Sequence, residues 1–179
     1  MSSERIAGRI GPEILSLLES RKSLFLSSLT KDGETYASYA PFATSEDCIY
    51  VLLSEIAVHA VNLQANPRAS VLIIEDEDSA AELFARLRVT YQVNAELLEY
   101  DSEAWHAGRD VLSNRHGERI VQLSQLGDFK LFKLVPLGGR YVKGFGRAFA
   151  FEGQTLTGET IAHMRDGHKK RTEADETAA

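Results

Sequence analysis

The chain has 179 residues, 44% of them hydrophobic and 26% charged, and its formal net charge at pH 7 is −6. This composition is typical of one globular domain with a real core, and the negative charge argues against a nucleic-acid partner or an anionic membrane surface. The single cysteine, Cys48, cannot form an intrachain disulfide, the N-terminus lacks a signal-peptide pattern, and no apolar run reaches membrane-spanning length. We therefore expect a cytoplasmic protein with no membrane partner and no nucleic-acid partner.

The first half of the chain predicts two helices among four strands. Pro12 suits the first turn of a short amphipathic helix. Alternating or continuous apolar runs then predict strands over residues 24–30, 35–42, 49–54 and 69–75. The second helix, between the third and fourth strands, is predicted to be capped by Ser54 and to end at Asn66-Pro67.

The second half predicts more helices and a final hairpin. Ser79 and Glu82 have the spacing of a capping box, which predicts a short helix before a long strand over residues 86–99. Helices are expected over residues 101–114 and 118–126, followed by strands over residues 129–135 and 140–151. The segment Pro136-Leu137-Gly138-Gly139 predicts the hairpin turn between these strands, because proline and paired glycines between apolar runs are typical of turns.

One face of the last predicted strand is unusually smooth. Its residues are small or short: Val142, Gly144, Gly146, Ala148 and Ala150. Such a face lets a strand bend inside a barrel, or lets a flat group approach the backbone. The pattern as a whole predicts a mainly β, α+β domain, a small barrel with helical insertions, over residues 1–152 with the N-terminal helix included. Residues 153–179 are predicted to be a C-terminal tail.

Residues 54–74, SEIAVHAVNLQANPRASVLII, resemble the pyridoxamine-phosphate-oxidase superfamily, in which a strand leads to a helix that ends in Asn-Pro and another strand follows directly. This resemblance implies a split β-barrel of the flavin-reductase type. Flavin-binding members hold the flavin phosphate with an Arg-Lys pair in that helix, and the corresponding positions here are Val58 and His59. Because Val58 offers no charge-assisted donor, flavin is not an expected cofactor.

A narrower resemblance covers essentially the whole chain and is to the haem-utilisation proteins of the HutZ and HugZ type. It is carried by SYAPF (38–42), IAVHAVNLQANP (56–67), IEDE (74–77), LFARLRVT (83–90), LSQLGDF (123–129), YVKGFG (141–146) and GHKK (167–170). The resemblance implies a homodimer that binds haem at the subunit interface. In that family a tail histidine ligates the iron and an aspartate of the partner subunit hydrogen-bonds it, and by motif these residues are His168 and Asp128.

The implied roles make chemical sense. A neutral imidazole is a suitable axial ligand for haem iron, and a carboxylate on its other ring nitrogen holds the tautomer and makes the ligand more basic. Without the resemblance, His168 would be interpreted as a solvated histidine in a charged segment, and Asp128 as a turn residue. Their separation in the sequence shows that they meet through the fold or across a dimer.

Other polar residues are secondary candidates. His59 is interpreted as a core or interface histidine, or as a residue of the distal haem pocket, and His163 as a backup ligand or a surface residue. Four basic residues are candidate partners of the haem propionates: Arg88 and Lys143, and with them Arg86 and Arg147. Salt bridges on the strand surface are the alternative role for each of the four.

The sequence therefore predicts a haem-degrading enzyme that supports haem-iron utilisation. By the resemblance, haem is both substrate and cofactor, O₂ and an electron donor are required, and a biliverdin-type tetrapyrrole, CO and iron are released. The electron donor is expected to be a small reductant or a reductase. The alternatives are a non-catalytic haem carrier or storage protein and a flavin-dependent oxidoreductase of the same superfamily.

Overall fold

The computed structural model of the protein describes residues 3–164. In this part of the chain the helices are α1 (Ser3–Ser20), α2 (Val58–Ala65), α3 (Glu103–His116) and α4 (Arg119–Ser124). The strands are β1 (Ser23–Leu29), β2 (Thr35–Pro41), β3 (Ala43–Ser45), β4 (Cys48–Ser54), β5 (Arg68–Ile74), β6 (Arg88–Leu97), β7 (Phe129–Val142), β8 (Ala148–Glu152) and β9 (Thr160–Met164). No helix within residues 3–164 is long and apolar enough to cross a membrane.

The strands form one antiparallel sheet that curls into a barrel. Its order is β2-β1-β5-β6-β7-β4-β3, with β8 paired to β7 and β9 paired to β8. The sheet curls far enough to bring β2 against β4. The predicted fold class, mainly β with helical insertions and a split β-barrel, is confirmed.

The core lies on the inner face of the sheet. Alternate residues of the strands, such as Val71 and Ile73 on β5, are fully buried there, and each such side chain contributes about 1.5–3 kcal/mol. Helix α1 adds Ile10 and Ile14 to the same core. A second, smaller cluster around Trp105 packs α3 and α4 against the outside of β4 and β7.

Helix α1 begins well before the predicted start at Pro12, which lies inside the helix. The prediction of that start was wrong because the apolar face continues upstream: Ile6 packs against the core and Ile10 is completely buried. Residues spaced by four lie on one helix face, so burial of these side chains stabilises the extra turns despite the proline.

The predicted helix with a capping box at Ser79 and Glu82 was also wrong. The described chain has two short 3₁₀ turns there, Glu77–Ser79 and Leu83–Ala85. The Ser79 hydroxyl donates to the Asp76 carbonyl oxygen at 3.1 Å and does not cap a helix, while the Glu82 carboxylate accepts from the Phe84 amide. No residue of either turn is buried, so no apolar face stabilises a longer helix.

The predicted hairpin turn at residues 136–139 was wrong as well, because β7 is one strand of 14 residues that runs through it. It pairs with β6 from Phe132 to Val142, with an irregularity between Gln92 and Val93. The glycines are required by close approach: a Cβ on Gly139 would lie 2.1 Å from the Thr90 carbonyl oxygen, and Gly138 has φ +145. The proline and glycines therefore mark a bulge, and β7 turns into β8 only after Val142.

The sheet continues past residue 152. Strand β9 pairs with β8, and Ile161 is buried in the core. The boundary placed at residue 152 between the barrel domain and the C-terminal tail stays a prediction.

Candidate functional site

The small side chains of β8 lie on the outer face of the sheet. Phe149 and Phe151 point into the core and are 3% and 2% exposed, whereas Ala148 and Ala150 are half-buried on the other face. The outward surface of this part of the barrel is therefore smooth. A flat ligand can approach the backbone closely there.

Strand register extends this smooth region across four strands. Two neighbouring rows of directly paired residues share the face: Arg88, Val142, Ala148 and Met164 in one row, and Thr90, Arg140, Ala150 and Ala162 in the next. Adjacent strands are about 4.8 Å apart, so the four strands span about 14 Å. We call these eight residues the outer shelf.

Arg88 is the predicted propionate partner that lies on the outer shelf. Its side chain is half-buried, and Nη1 donates to the Arg86 carbonyl oxygen at 2.9 Å. Arg86 is engaged elsewhere: its guanidinium pairs with the Glu77 carboxylate at 3.2 Å and donates through Nε to the Glu75 carbonyl oxygen. Of these two arginines, Arg88 is the one presented to a ligand on the shelf.

Lys143 lies just after β7 but is turned toward α1. Its Nζ is 2.6 Å from Oε1 of Glu13, and the Tyr141 hydroxyl donates to Oε2 of the same carboxylate at 3.2 Å. Burial, followed by the nearby Glu13 charge, raises the pKa of Tyr141, so its hydroxyl stays protonated and can donate. The structure therefore places Lys143 and Arg88 on opposite faces of the sheet.

Arg147 follows the β7–β8 turn. Its guanidinium lies over Gly144, where an added Cβ would be 2.7 Å from Nη2, and it lines a cleft of about 910 Å³ between α1 and the turn. That cleft also contains Lys143 and Glu13. Arg147 therefore lines the same cleft as Lys143, next to α1.

Asp128 lies at the opposite end of β7, immediately before its first residue. Its Oδ2 accepts a hydrogen bond from the Ser54 hydroxyl at 2.7 Å, and its carbonyl oxygen accepts from the Glu55 amide at 2.7 Å. Within residues 3–164, Oδ1 of this half-buried carboxylate accepts no hydrogen bond. The carboxylate is held in place by one oxygen and can accept through the other.

The role of Ser54 differs from the prediction. Helix α2 begins at Val58 with Ala57 as its N-cap and without a side-chain cap, so the assignment of Ser54 as a cap was wrong. The Ser54 oxygen accepts from the Ile56 amide at 3.2 Å while its hydroxyl proton goes to Asp128. A short polar side chain near a helix start can accept a hydrogen bond from a backbone amide of the preceding turn instead of capping the helix.

His59 lies on α2 with its Nδ1 buried and, in the described part of the chain, without a hydrogen-bond partner. Burial lowers the pKa of His59 from its ordinary value. The exposed side of the same helix region is apolar: Ile56 is 88% exposed and Val61 is 51% exposed. Exposed apolar surface of this kind is typical of an interaction site.

His163 lies on β9, the strand at one edge of the outer shelf. His163 pairs across the strands with Phe149, contacts its ring edge-on at 5.0 Å, and donates through Nε2 to the Gly146 carbonyl oxygen at 3.1 Å. It therefore lies on the face opposite Met164. His168 lies outside the described residues, and residues 3–164 contain no group of three or more potential metal-ligating side chains.

Arg140 is the shelf residue that the sequence interpretation missed. It is exposed, and among residues 3–164 its guanidinium makes no ion pair or hydrogen bond. The predicted turn at residues 136–139 placed Arg140 at a strand start with no known partner. The predicted strand over residues 140–151 already put Arg140 two residues before Val142 and so on the same face, but its partner on β6 was not predicted.

Comparison with known proteins gives a family and a similar curated protein. Residues 10–143 match the family model for pyridoxamine 5'-phosphate oxidase. The heme oxygenase HutZ of Vibrio cholerae is 43% identical over 170 residues, which cover 95% of this chain and 96% of that protein.

Two solved structures share both fold and sequence similarity. A crystal structure of HutZ from Vibrio cholerae, described as a heme storage protein, has a TM-score of 0.68 and 44% identity, covering 72% of this chain and 90% of that chain. ChuZ from Campylobacter jejuni has a TM-score of 0.81 and 32% identity, covering 92% of this chain and 67% of that chain.

Proposed function

Because the chain belongs to the pyridoxamine 5'-phosphate oxidase family, and within it to the HutZ-type haem-utilisation proteins, we propose that it binds haem and degrades it oxidatively. The products are a biliverdin-type tetrapyrrole and released iron, in support of haem-iron utilisation. The outer shelf is the observation that carries this proposal. It offers a flat surface of small side chains with arginines beside it. Met164 lies at the edge of this surface, and the sequence continues from it toward His168.

The residues present fit haem. The macrocycle is flat and apolar and needs close approach to a surface, which Ala148 and Ala150 allow. Its propionates need cations, and Arg88 lies in the same row as Ala148. When bound, haem supplies the iron centre at which O₂ is activated with electrons from a reductant, while the protein binds and orients it.

His168 and Asp128 are proposed to serve one site from two subunits. Met164 pairs with Ala148, which pairs with Val142 at the end of β7, whereas Asp128 precedes the start of that strand. A strand of 14 residues is roughly 45 Å long, and a right-angle bend midway would leave its ends roughly 30 Å apart. The four residues from Met164 to His168 extend at most about 14 Å. The Asp128 that reaches His168 then comes from the partner subunit.

In this arrangement Asp128 positions the ligand and does not touch the iron. The Ser54 hydroxyl holds Oδ2 of Asp128, which leaves Oδ1 to accept the ring N–H of the His168 imidazole. Such an acceptor determines which ring nitrogen is free for the metal and makes that nitrogen more basic. Ser54 is thus the residue that orients the carboxylate.

The homodimer has a suitable surface. Exposed apolar side chains lie on α2, in the turn before it and on the outer face of β1 and β2: Phe25, Tyr39, Ile56, Val58 and Val61. Phe25 and Tyr39 are directly paired across β1 and β2, so they form a continuous aromatic patch. Covering such side chains removes apolar surface from water and stabilises association.

A haem carrier or storage protein is the second candidate function. It uses the same shelf and the same ligand without turnover, and the description of the HutZ crystal structure as a storage protein favours it. A flavin enzyme is the less favoured candidate. Val58, which is 44% exposed at the start of α2, offers no donor for a flavin phosphate.

One experiment separates these functions. Haemin is added to the purified protein, followed by ascorbate, once in air and once under nitrogen, and the Soret band is recorded. If the protein degrades haem, the Soret band disappears only when both reductant and air are present, and a chelator detects released iron. A bound haem that is stable in both conditions supports the carrier, absence of haem binding contradicts the proposal, and stoichiometric flavin in the purified protein would favour the flavin enzyme.

A further inference from the structure

We propose that a cleft beside Asp128 receives the basic segment Lys169-Lys170-Arg171 of the partner subunit, so that each C-terminal segment is fastened to the opposite chain. The inference rests on the proposed function, because it starts from the pairing of His168 with the Asp128 of the other subunit. It adds an interaction surface that holds the segment in place whether or not haem is bound.

The cleft lies where β7 begins, between the end of β6 and the end of α4, and its volume is about 650 Å³. Its buried wall includes Trp105, which is 3% exposed and contacts the Tyr100 ring edge-on at 4.8 Å. Large exposed side chains line its rim: Leu97, Tyr100 and Leu126 are 47%, 60% and 49% exposed. A concave site with apolar side chains exposed around it is typical of an interaction surface. We call it the α4 cleft.

The polar residues of the α4 cleft favour a cation. Glu99 is exposed and makes no ion pair within residues 3–164. Glu55 is already engaged, since Nζ of Lys130 lies 3.5 Å from its Oε2 and Gln64 donates to its Oε1 at 3.0 Å. The Glu99 carboxylate therefore suits a cationic side chain, and the Tyr100 ring adds a second attraction for such a group.

A lysine or arginine side chain fits this combination of groups. Its aliphatic stem would cover the exposed Leu97 and Leu126, while its charged head stays near water beside Glu99. A purely apolar occupant would remove the Glu99 carboxylate from water without a partner, which is costly. The chemistry of the α4 cleft thus selects a basic segment.

The C-terminal sequence supplies this chemistry directly after the proposed haem ligand, because Lys169-Lys170-Arg171 follows His168. When the imidazole of His168 donates to Asp128, the backbone of the next two residues lies within roughly 15 Å of that carboxylate. Gly127 and Phe129, the chain neighbours of Asp128, line the α4 cleft. The basic segment is therefore within reach of the cleft.

The segment that reaches the α4 cleft comes from the other subunit. Lys170 is six residues beyond Met164, and six residues extend at most about 22 Å. Met164 lies beside the end of β7, roughly 30 Å from the start of that strand, where the cleft lies. The backbone of Lys170 therefore does not span the distance to the cleft of its own chain.

Engineered disulfides test the contact on the full chain without haem. Cys48 is the single native cysteine and is buried, so it does not compete with introduced cysteines. On mild oxidation, Leu126→Cys with Lys170→Cys should give a band of twice the chain mass in non-reducing electrophoresis.

Leu137→Cys with Lys170→Cys is the matched control, because Leu137 is 46% exposed but lies at the β7 bulge, outside the cleft. The cleft pair should form the double-mass band at least about tenfold faster than the control pair, since a docked segment has a high effective concentration. Each single-cysteine variant shows how much of the band arises without the pair.

Charge reversal tests the chemistry of the contact. In the chain with Leu126→Cys and Lys170→Cys, Glu99→Lys should slow the cross-link roughly threefold or more, because it replaces an attraction by a repulsion. Glu118→Lys should leave the rate unchanged, since Glu118 is also exposed but lies outside the cleft. Tyr100→Cys with Lys169→Cys provides a second pair if Leu126→Cys disturbs folding.

The results separate the contact from the haem function, because haemin binding by the wild type is measured on its own. The docking would be wrong if the Leu137 control gave an equal band, if neither cleft pair gave one, if the disulfide formed within one chain, or if Glu99→Lys had no effect. Haemin binding without the cross-link would leave the proposed function standing and the cleft to another occupant. The cross-link without haemin binding would keep the contact and contradict the proposed function.

Discussion

Single residues of the proposed site have separable roles. His168→Ala should abolish the native haem spectrum, because it removes the coordinate bond. Asp128→Asn should retain haem but slow its reductant-dependent loss by roughly 10- to 100-fold, the usual effect of replacing an outer partner of a metal ligand. Asparagine keeps the shape of Asp128 and loses its charge, so the imidazole becomes less basic. Optical titration with haemin and the rate of Soret loss measure the two effects.

His163 provides the control within the same region. Its ring faces Phe149 and Gly146, away from the outer shelf, so His163→Ala should keep the wild-type haem spectrum. If His163→Ala abolished the spectrum and His168→Ala did not, the ligand assignment would be wrong.

His59 should make stability depend on pH. Because burial lowers its pKa below the ordinary value of 6.5, the unfolded chain binds this proton more readily than the folded protein does. The folded state is therefore destabilised as the pH falls below about 6.5, and the loss levels off below the folded pKa. Thermal unfolding of wild type and His59→Asn at about pH 7.5 and about pH 5.5 should show a smaller drop in Tm for the variant. Equal drops in Tm would show that the pKa of His59 is the same in the folded and the unfolded protein.

At the scale of one helix, Gly108 is required by the packing of α3. A Cβ there would lie 2.8 Å from the Tyr50 ring and 3.2 Å from a Leu131 methyl group. Overpacking of this kind costs about 1–3 kcal/mol and should outweigh the gain of about 1 kcal/mol that alanine brings to a helix interior. Gly108→Ala should therefore lower the free energy of unfolding by about 1 kcal/mol in urea denaturation.

Gly8 is the matched control, since it is an exposed helical glycine with no atom within 4 Å of an added Cβ. Gly8→Ala should stabilise the protein by about 0.5–1 kcal/mol. A stabilised Gly108→Ala variant would show that Tyr50 moves aside without cost.

The strands show where sequence reasoning succeeds at this scale. Alternating or continuous apolar runs predicted β1, β2, β4, β5 and β6 to within one or two residues. One face of β1, β4, β5 and β6 is buried, whereas β2 buries only Ala40. The same reasoning failed at residues 136–139, since proline and glycine mark a hairpin turn and a bulge alike. The segment forms a bulge and not a hairpin turn because β6 is long enough to pair with β7 on both sides of it. That information is not local to the segment.

The same error left Arg140 without a partner on β6. Arg88 was predicted because its type suits a carboxylate, and the structure places it on a ligand-accessible face. Lys143 was chosen for the same reason, but its amine binds Glu13 on the side of α1. Residue type alone does not tell which face a side chain takes at the end of a strand. Only the pairing of β6, β7 and β8 shows that Arg140 is the neighbour of Arg88.

At the scale of the whole molecule, β7 connects the two parts of the proposed site. It pairs with β4, β6 and β8, begins next to Asp128, and ends beside the shelf from which the chain continues toward His168. In the proposed arrangement, a single subunit therefore contributes to two half-sites, one at each end of β7. The homodimer stays a prediction, which light scattering at micromolar concentration tests directly.

The separation of the half-sites has a consequence for mixtures of inactive chains. When His168→Ala and Asp128→Asn chains assemble at random, about half of the dimers contain one of each, and a two-fold dimer of that kind has one site with both wild-type residues. About a quarter of all sites should then degrade haem at the wild-type rate, although neither parent does. If both residues came from one subunit, mixing would restore nothing. Co-expressing two differently tagged chains and assaying the doubly purified dimer would therefore count how many subunits build one site.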